Sequence, residues 1–215
     1  MGALRFILNR KYVYKEGCLL QKHLTYKQYR ATDLILFAII FVALEGITAT
    51  LANKLVNVNF TITFCYLLAS LVIMRWGAWG AVHCVLSGVT YVLALKGDAL
   101  QIVSFAVGNL FALSSLIYLK AVGKDKVSKS FALSSVFVII IYLFTAIGRS
   151  TMLSIFKGVN FFGVLTASLT TDVLSLVITL LVVFIARRQD GLFEDQKAYL
   201  FRTQEERDKS LRGGD

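Results

Sequence analysis

The sequence predicts an all-α integral membrane protein, a bundle of six transmembrane helices with both termini in the cytoplasm. Three observations lead to this prediction. Hydrophobic residues make up 57% of the chain, and its mean hydropathy is +0.69. Apolar runs recur that are long enough to cross a bilayer, which takes about 20 residues at a rise of about 1.5 Å each. Basic residues flank these runs, as they do when they orient a membrane protein.

The chain opens with a basic cytoplasmic leader, residues 1–32, in which tyrosines are interleaved with seven Lys and Arg residues. Beside a membrane span, this composition favours a segment on anionic lipid over a nucleic-acid-binding arm. We therefore expect membrane lipid, and no nucleic acid, as its partner. The first span is predicted at Asp33–Ala52, with Thr32 and Asp33 supplying the helix cap.

Five further spans complete the predicted transmembrane domain, residues 33–186. They are Phe60–Met74, Trp76–Leu95, Ala99–Leu119, Phe131–Gly148 and Phe161–Ala186. The connector Arg149–Asn160 is expected to lie on the membrane surface as a short helix. In the charged tail, residues 187–215, the spacing of apolar residues predicts an amphipathic cytoplasmic helix. That helix either lies in solvent along the membrane or docks a cytoplasmic partner.

The distribution of basic residues predicts the orientation. With both termini inside, the cytoplasmic segments hold 19 of the 23 Lys and Arg residues. Cytoplasmic loops of membrane proteins carry an excess of Lys and Arg. The uneven split therefore supports an even number of spans and a multi-pass protein of the plasma membrane with both ends inside.

Ionisable and strongly polar residues lie within the predicted spans or just beyond their outer ends, and a charge at the centre of a membrane helix costs about 2.5–3.5 kcal/mol. Their depths, estimated from the rise per residue, place them from the middle of the bilayer to its outer rim. We predict that they line an outward-facing, substrate-binding pocket, although interhelical packing or snorkelling would also explain individual members. The candidate residues are Glu45, Asn53, His83, Tyr91, Asn109, Arg149 and Asp172.

Several kinds of chemistry leave no trace in the sequence. It has no phosphate-binding Gly-x-x-x-x-Gly-Lys loop and no His-Glu-x-x-His motif. The spacing of Glu45, His83 and Asp172 is not typical of a metal site. Ser87 lies one helical turn after His83 and could form a nucleophile–base pair with it, but such pairs often arise by chance. We therefore predict that the chain is not an enzyme and holds no metal or cofactor.

Residues spaced four apart form a ladder along the first span: Ala38, Val42, Gly46 and Thr50, three of them small. Small residues allow helices to pack closely in membranes, so this ladder predicts a partner helix. Glu45 is rotated by about 100° from Gly46. One helix can therefore present the ladder to a partner and the carboxylate to the interior.

These features together resemble the substrate-binding S component of energy-coupling factor (ECF) transporters. They are the six helices, the ladder, the polar residues of the outer half and the segment WGAWGAVHCVLSG in the third span. The resemblance covers about residues 31–190 and is one of architecture. It implies that the chain binds a vitamin or other micronutrient on its outer side, capped by the loop after the first span. It also implies association with a transmembrane scaffold subunit, facing the ladder, and two cytosolic ATPases.

Two other functions stay open at this point. Glu45 and Asp172 suit a stand-alone carrier that couples transport to protons or ions, although the sequence lacks the internal repeat of many carriers. A membrane assembly or interaction protein would need no small-molecule ligand.

Overall fold

The computed structural model describes residues 26–54 and 61–212, and all regular structure in these ranges is helical. This confirms the predicted all-α class. Short 3₁₀ turns at Gly77–Trp79 and Leu110–Ser114 join two of the helix pairs. The helices are α1 (Tyr26–Lys54), α2 (Cys65–Trp76), α3 (Gly80–Ala94), α4 (Ala99–Asn109), α5 (Ser115–Val122), α6 (Lys124–Lys129), α7 (Phe131–Lys157), α8 (Phe161–Thr171), α9 (Val173–Ala186) and α10 (Gln196–Arg212).

The chain divides into two units, Met1–Leu36 and Phe37–Asp215. The described part of the first unit is the start of α1, where the guanidinium carbon of Arg30 lies 5.7 Å from the centroid of the Tyr26 ring. α1 begins at Tyr26, earlier than the predicted start at Asp33. The residues between them include good helix formers such as Lys, Gln, Arg and Ala, so the helix extends into the predicted leader. Residues 1–25 of that leader lie outside the described ranges.

Four segments are long and apolar enough to cross a membrane, and a bent pair of helices is a fifth candidate. The pair, α8 and α9, is bent by 48°. These segments fit a multi-pass membrane protein, while the count of six spans and the position of the termini stay predictions. The four segments are Tyr26–Leu51, Cys65–Ala94, Ala99–Val122 and Phe131–Lys157.

The predicted second and third spans form the two arms of a hairpin, α2 and α3. Gly77 has a φ of 63° after α2, and a Cβ on Gly80 would lie 3.6 Å from the Cα of Ile73. Residues seven apart in a straight helix are about 10 Å apart, so the chain turns back here. Thr61 before α2 accordingly lies next to Tyr91 near the end of α3. Cys65–Ala94 is therefore long enough to cross a membrane only when counted as a whole, and its arms of 12 and 15 residues are each shorter than the about 20 of a full crossing.

α7 shows that the predicted surface connector Arg149–Asn160 was wrong. The helix continues to Lys157 and ends at Gly158, whose φ is 65° and whose N–H donates to the Ser154 carbonyl at 3.0 Å. The polar residues Arg149 and Ser150 follow an apolar run that ends at Gly148, and this pattern is typical of a helix end. These polar side chains face the protein interior instead, so Arg149 lies inside a 27-residue helix and does not snorkel at its end.

The predicted sixth span, Phe161–Ala186, is broken at Asp172. This residue ends α8 and precedes α9, with φ −89° and ψ 4°. The hydroxyls of Thr170 and Thr171 donate to carbonyls one turn earlier, at 2.9 Å each. Such bonds compete with the helical backbone pattern and bend helices. The break places the Asp172 carboxylate between two helices and not on the side of one.

α4 begins at a well-formed cap. The Asp98 side chain accepts from the Gln101 N–H at 2.8 Å, and the Gln101 side chain accepts from the Asp98 N–H at 3.0 Å. Lys157, at the end of α7, donates to Asp98 at 2.6 Å, and this hydrogen bond lowers the pKa of the Asp98 carboxyl. The ion pair therefore connects the start of α4 to the end of α7.

The tail begins against the bundle. Nη1 of Arg75, at the end of α2, donates to the carbonyls of Gly191 and Leu192, the latter at 3.2 Å. Phe193 is fully buried. The predicted amphipathic helix forms as α10 but begins at Gln196, after this contact. Glu205 and Lys209, one turn apart on its exposed side, form an ion pair at 2.9 Å.

Candidate functional site

A buried ion pair joins α7 to the break between α8 and α9. Nη1 of Arg149 lies 3.2 Å from Oδ2 of Asp172, and both residues are at most 5% exposed. The Tyr66 hydroxyl of α2 donates to the same carboxylate oxygen at 2.5 Å. The Thr61 hydroxyl, from the segment before α2, donates to the other oxygen. Three separate parts of the chain therefore meet at one carboxylate.

The guanidinium of Arg149 has further partners on α4. Its Nε donates to Oδ1 of Asn109 at 2.6 Å, and Nδ2 of Asn109 donates to the Cys84 carbonyl of α3 at 3.0 Å. The ring centroids of Tyr66 and Phe105 lie 5.5 and 5.0 Å from the guanidinium carbon. Aromatic faces attract a desolvated cation. Residues from four helices, α2, α3, α4 and α7, and from the Asp172 break thus form one polar cluster around a buried positive charge.

One guanidinium nitrogen in this cluster stays without a partner. Nη2 of Arg149 is buried and has no hydrogen bond within the described ranges. The Thr145 hydroxyl, one turn earlier on the same face of α7, is also buried and unbonded there. The Cys65 thiol beside the guanidinium is a weak acceptor. Buried polar groups normally have partners, so these two atoms mark a place for a water or a ligand atom.

Two glycines set the distance between α4 and α7 at this cluster. A Cβ on Gly108 would lie 2.7 Å from the Cα of Arg149, and a Cβ on Gly148 would overlap the Gly108 carbonyl oxygen. Because neither position has a side chain, the two backbones approach closely. This approach brings Asn109, the neighbour of Gly108, within reach of Arg149.

Glu45 binds the start of the α2–α3 hairpin. It is 1% exposed, and its two oxygens accept from the Thr63 hydroxyl and from the Phe64 N–H, each at 2.5 Å. The Phe64 N–H directly precedes α2, where backbone donors lack helical partners. The carboxylate predicted to bind a substrate therefore holds the segment 61–64, which also supplies Thr61 to Asp172.

We expect replacement of Glu45 by alanine to lower the free energy of unfolding by about 1–3 kcal/mol, because the buried Thr63 hydroxyl and the half-buried Phe64 N–H lose their acceptor. Glu45→Gln keeps one carbonyl oxygen and should lose less. Thermal unfolding in detergent measures both changes, and hydrogen exchange of the Phe64 amide reports on the bond itself. Equal stability of the alanine variant and the wild type, with unchanged exchange at Phe64, would contradict this role.

The remaining predicted pocket residues lie at different distances from the cluster. Tyr91 is buried, stacks on Phe105 with centroids 5.7 Å apart, and packs with Ala49 in a small apolar cluster. His83 is buried on α3, 1% exposed. Asn53 belongs to the last turn of α1, and its side chain lies outside the described part of the structure, as does the predicted capping loop from residue 55 to 60.

The ladder residues follow the outer side of α1. Val42 and Thr50 are exposed, Ala38 and Gly46 are half-buried, and Glu45 points inward. Val42, Gly46 and Thr50 line a shallow, mainly apolar groove of about 480 Å³. Glu45 and the ladder therefore lie on different faces of α1, as the rotation between neighbouring helical residues predicts. Binding of a partner helix to the ladder stays a prediction.

Asn109, Arg149 and Asp172 were among the pocket residues predicted from the sequence, whereas Tyr66 and Thr61 were not. A tyrosine in an apolar run is usual for a packed core or an interfacial belt, so Tyr66 gave no distinct signal. In the described residues no three His, Cys, Asp or Glu side chains are placed to hold a metal ion. The Ser87 hydroxyl has no hydrogen-bond partner in those ranges, so it does not form the nucleophile–base contact with His83.

Comparison with family models, curated proteins and solved structures found no match. The resemblance to the S component of ECF transporters therefore rests on the pattern of the sequence alone.

Proposed function

We propose that this chain is a membrane-embedded substrate-binding subunit of a micronutrient uptake transporter, which works with separate scaffold and ATPase subunits. The observation that supports this most is Nη2 of Arg149, which is buried in the polar cluster and has no hydrogen bond to oxygen or nitrogen within the described ranges. Ionisable residues within membrane segments are costly and usually mark substrate or ion sites. A ligand acceptor atom at Nη2 would complete the hydrogen bonding of the guanidinium.

The cluster is buried, so a ligand reaches it only when a neighbouring element moves. Two non-helical pieces adjoin it: the segment 61–64 and the break at Asp172. The first contributes the Thr61 hydroxyl to the cluster, and the second contributes the Asp172 carboxylate. In the proposed function, an outward opening at these two pieces admits the ligand, since the predicted orientation, with the N-terminus inside, has the segment after the first span on the outer side.

The test is the identity of small molecules that purify with the full chain. Protein from cells grown in rich medium is purified in mild detergent and denatured, and the released compounds are identified by mass spectrometry. We expect the wild type to release one small polar compound in near-equal molar amount. Arg149→Gln should retain about tenfold less, because a charge-assisted hydrogen bond contributes about 1.5–3 kcal/mol.

Asp98→Asn is the matched control, since it removes an exposed carboxylate at the start of α4, about 16 Å along the helix from Asn109, and should retain the compound fully. Arg149→Lys keeps the charge without the planar fork and should bind at an intermediate level. If the wild type and Arg149→Gln release the same compounds in the same amounts, the proposed pocket is wrong. Scaffold and ATPase subunits should also co-purify from the native membrane.

A stand-alone proton- or ion-coupled carrier is the second candidate, favoured by the burial of Glu45 and Asp172 within apolar segments. It is distinguished in proteoliposomes that contain this chain alone and an internal pH-sensitive dye. Proton entry on addition of metabolites from yeast extract, with no other subunit present, would favour the carrier. Absence of any released compound and of proton flux would favour an assembly or interaction protein.

A further inference from the structure

A crevice of about 620 Å³ opens at the end of the bundle where α7 begins and α9 ends. Its volume lies in the range of about 300–1,000 Å³ that small-molecule sites occupy. The lining comes from α6, the end of α9 and α10. It includes three basic and three acidic side chains: Lys129, Arg187, Arg202, Asp190, Glu194 and Glu206.

The crevice lies where the apolar segments end. Arg187 directly follows Ala186, the last residue of α9, and its guanidinium carbon lies 5.8 Å from the ring centroid of Phe131, the first residue of α7. The Phe131 ring also packs edge-on against Phe184, with centroids 5.2 Å apart. Basic residues just beyond apolar spans lie at the level of lipid headgroups. The crevice is therefore positioned to meet the headgroup layer.

Two of the three cations are available to a ligand. Arg202 already pairs with Glu194 at 3.0 Å. Nη1 of Arg187 is buried and has no hydrogen-bond partner in the ranges that the structure describes. Lys129 is exposed and forms no ion pair there. A guanidinium with a free, desolvated nitrogen is well suited to an oxyanion such as phosphate.

Two carboxylates, those of Asp190 and Glu206, remain at the exposed rim. They would repel an anion that carried no positive group. Within the part of the chain that the structure describes, four charges of the crevice form no ion pair, two of each sign, and this balance fits a zwitterion better than a bare anion. A phosphate at Arg187 with an amine on the same molecule would bring the ammonium toward the rim carboxylates.

We propose that this crevice binds a zwitterionic phosphate ester, with the phosphate on Arg187 and Lys129 and the amine facing Asp190 and Glu206. An aminophospholipid headgroup and soluble phosphoethanolamine share this chemistry. The site is separate from the Arg149 cluster and does not depend on the proposed transport function.

The test compares Arg187→Gln with Arg188→Gln in the full chain, purified and delipidated in a phosphate-free detergent. Arg188 is the neighbouring arginine, is exposed, and lies over the Phe184 ring at 4.4 Å outside the crevice. The probes are mixed micelles with phosphatidylethanolamine, mixed micelles with phosphatidylglycerol, and soluble phosphoethanolamine. Thermal unfolding as a function of probe concentration gives the affinity.

We expect phosphatidylethanolamine to stabilise the wild type and Arg188→Gln alike, with about tenfold weaker binding to Arg187→Gln. An equal or greater response to soluble phosphoethanolamine identifies a soluble ligand, and a response to the lipid alone identifies the headgroup. If Arg187→Gln does not fold, Lys129→Gln carries the same expectation. Equal affinities of the wild type and the crevice variants, or an equal response to phosphatidylglycerol, would overturn the proposal.

Discussion

Replacing Asp172 by alanine is expected to lower the free energy of unfolding by about 3–5 kcal/mol. The substitution leaves the Arg149 guanidinium buried without its counter-ion, and the hydroxyls of Tyr66 and Thr61 lose their acceptor. Removing one member of a buried ion pair costs far more than the pair contributes, because the remaining charge stays desolvated. Thermal or urea unfolding of the detergent-solubilised protein measures the change.

The double variant Arg149→Met/Asp172→Leu separates this explanation from a general loss of packing. If the uncompensated charge causes the loss, removing both charges should recover much of the stability, since apolar replacements of buried pairs are often neutral. Glu205→Ala serves as the control, because it breaks an exposed ion pair with Lys209 and such pairs contribute little. A double variant that is less stable than Asp172→Ala alone would refute the role of the buried charge.

The sequence predicted where the apolar helices lie but not where they end. The positions of α1, α4 with α5, and α7 follow from runs of apolar residues, which the hydropathy pattern records directly. The ends were assigned from local polarity, as at Gly148-Arg149-Ser150. Whether a polar residue ends a helix depends on what faces it, and Arg149 faces Asn109 and Asp172 from distant segments. That information is not present in the local sequence.

The absence of distant contacts from the local sequence also explains which residues of the site could be predicted. Charged and amide groups within apolar runs stand out, so Asn109, Arg149 and Asp172 were identified from composition and depth. Thr61 joins them through a non-helical segment whose path is set by the Glu45 carboxylate binding at Thr63. A short extended segment carries no periodic signal, so its contacts could not be derived from spacing.

The glycines that bring α4 and α7 together could not be identified from composition either. Small residues in a membrane helix indicate close packing but not the partner. Gly108 and Gly148 lie 40 positions apart and contact each other's backbones, while Gly163 in α8 has ordinary space around it. The three look alike in the sequence, and only the first pair brings an amide to the buried guanidinium.

Gly148→Ala is therefore expected to lower the free energy of unfolding by about 2–6 kcal/mol. The new Cβ would overlap the Gly108 carbonyl, a backbone atom that moves only with its helix. Overpacking of this kind costs about 1–3 kcal/mol, and separating α4 from α7 also stretches the buried bond between Asn109 and Arg149, at about 1–3 kcal/mol.

Gly163→Ala is the matched control for this substitution. Its Cβ would meet the Asn160 Oδ1 at 3.6 Å, an ordinary contact, and alanine favours a helix over glycine by about 1 kcal/mol. The same chemical change should therefore destabilise at residue 148 and be neutral or stabilising at residue 163. Unfolding of both variants side by side measures the difference. Equal effects at the two positions would mean that the approach of α4 and α7 does not hold the cluster together, and that Asn109 reaches Arg149 for another reason.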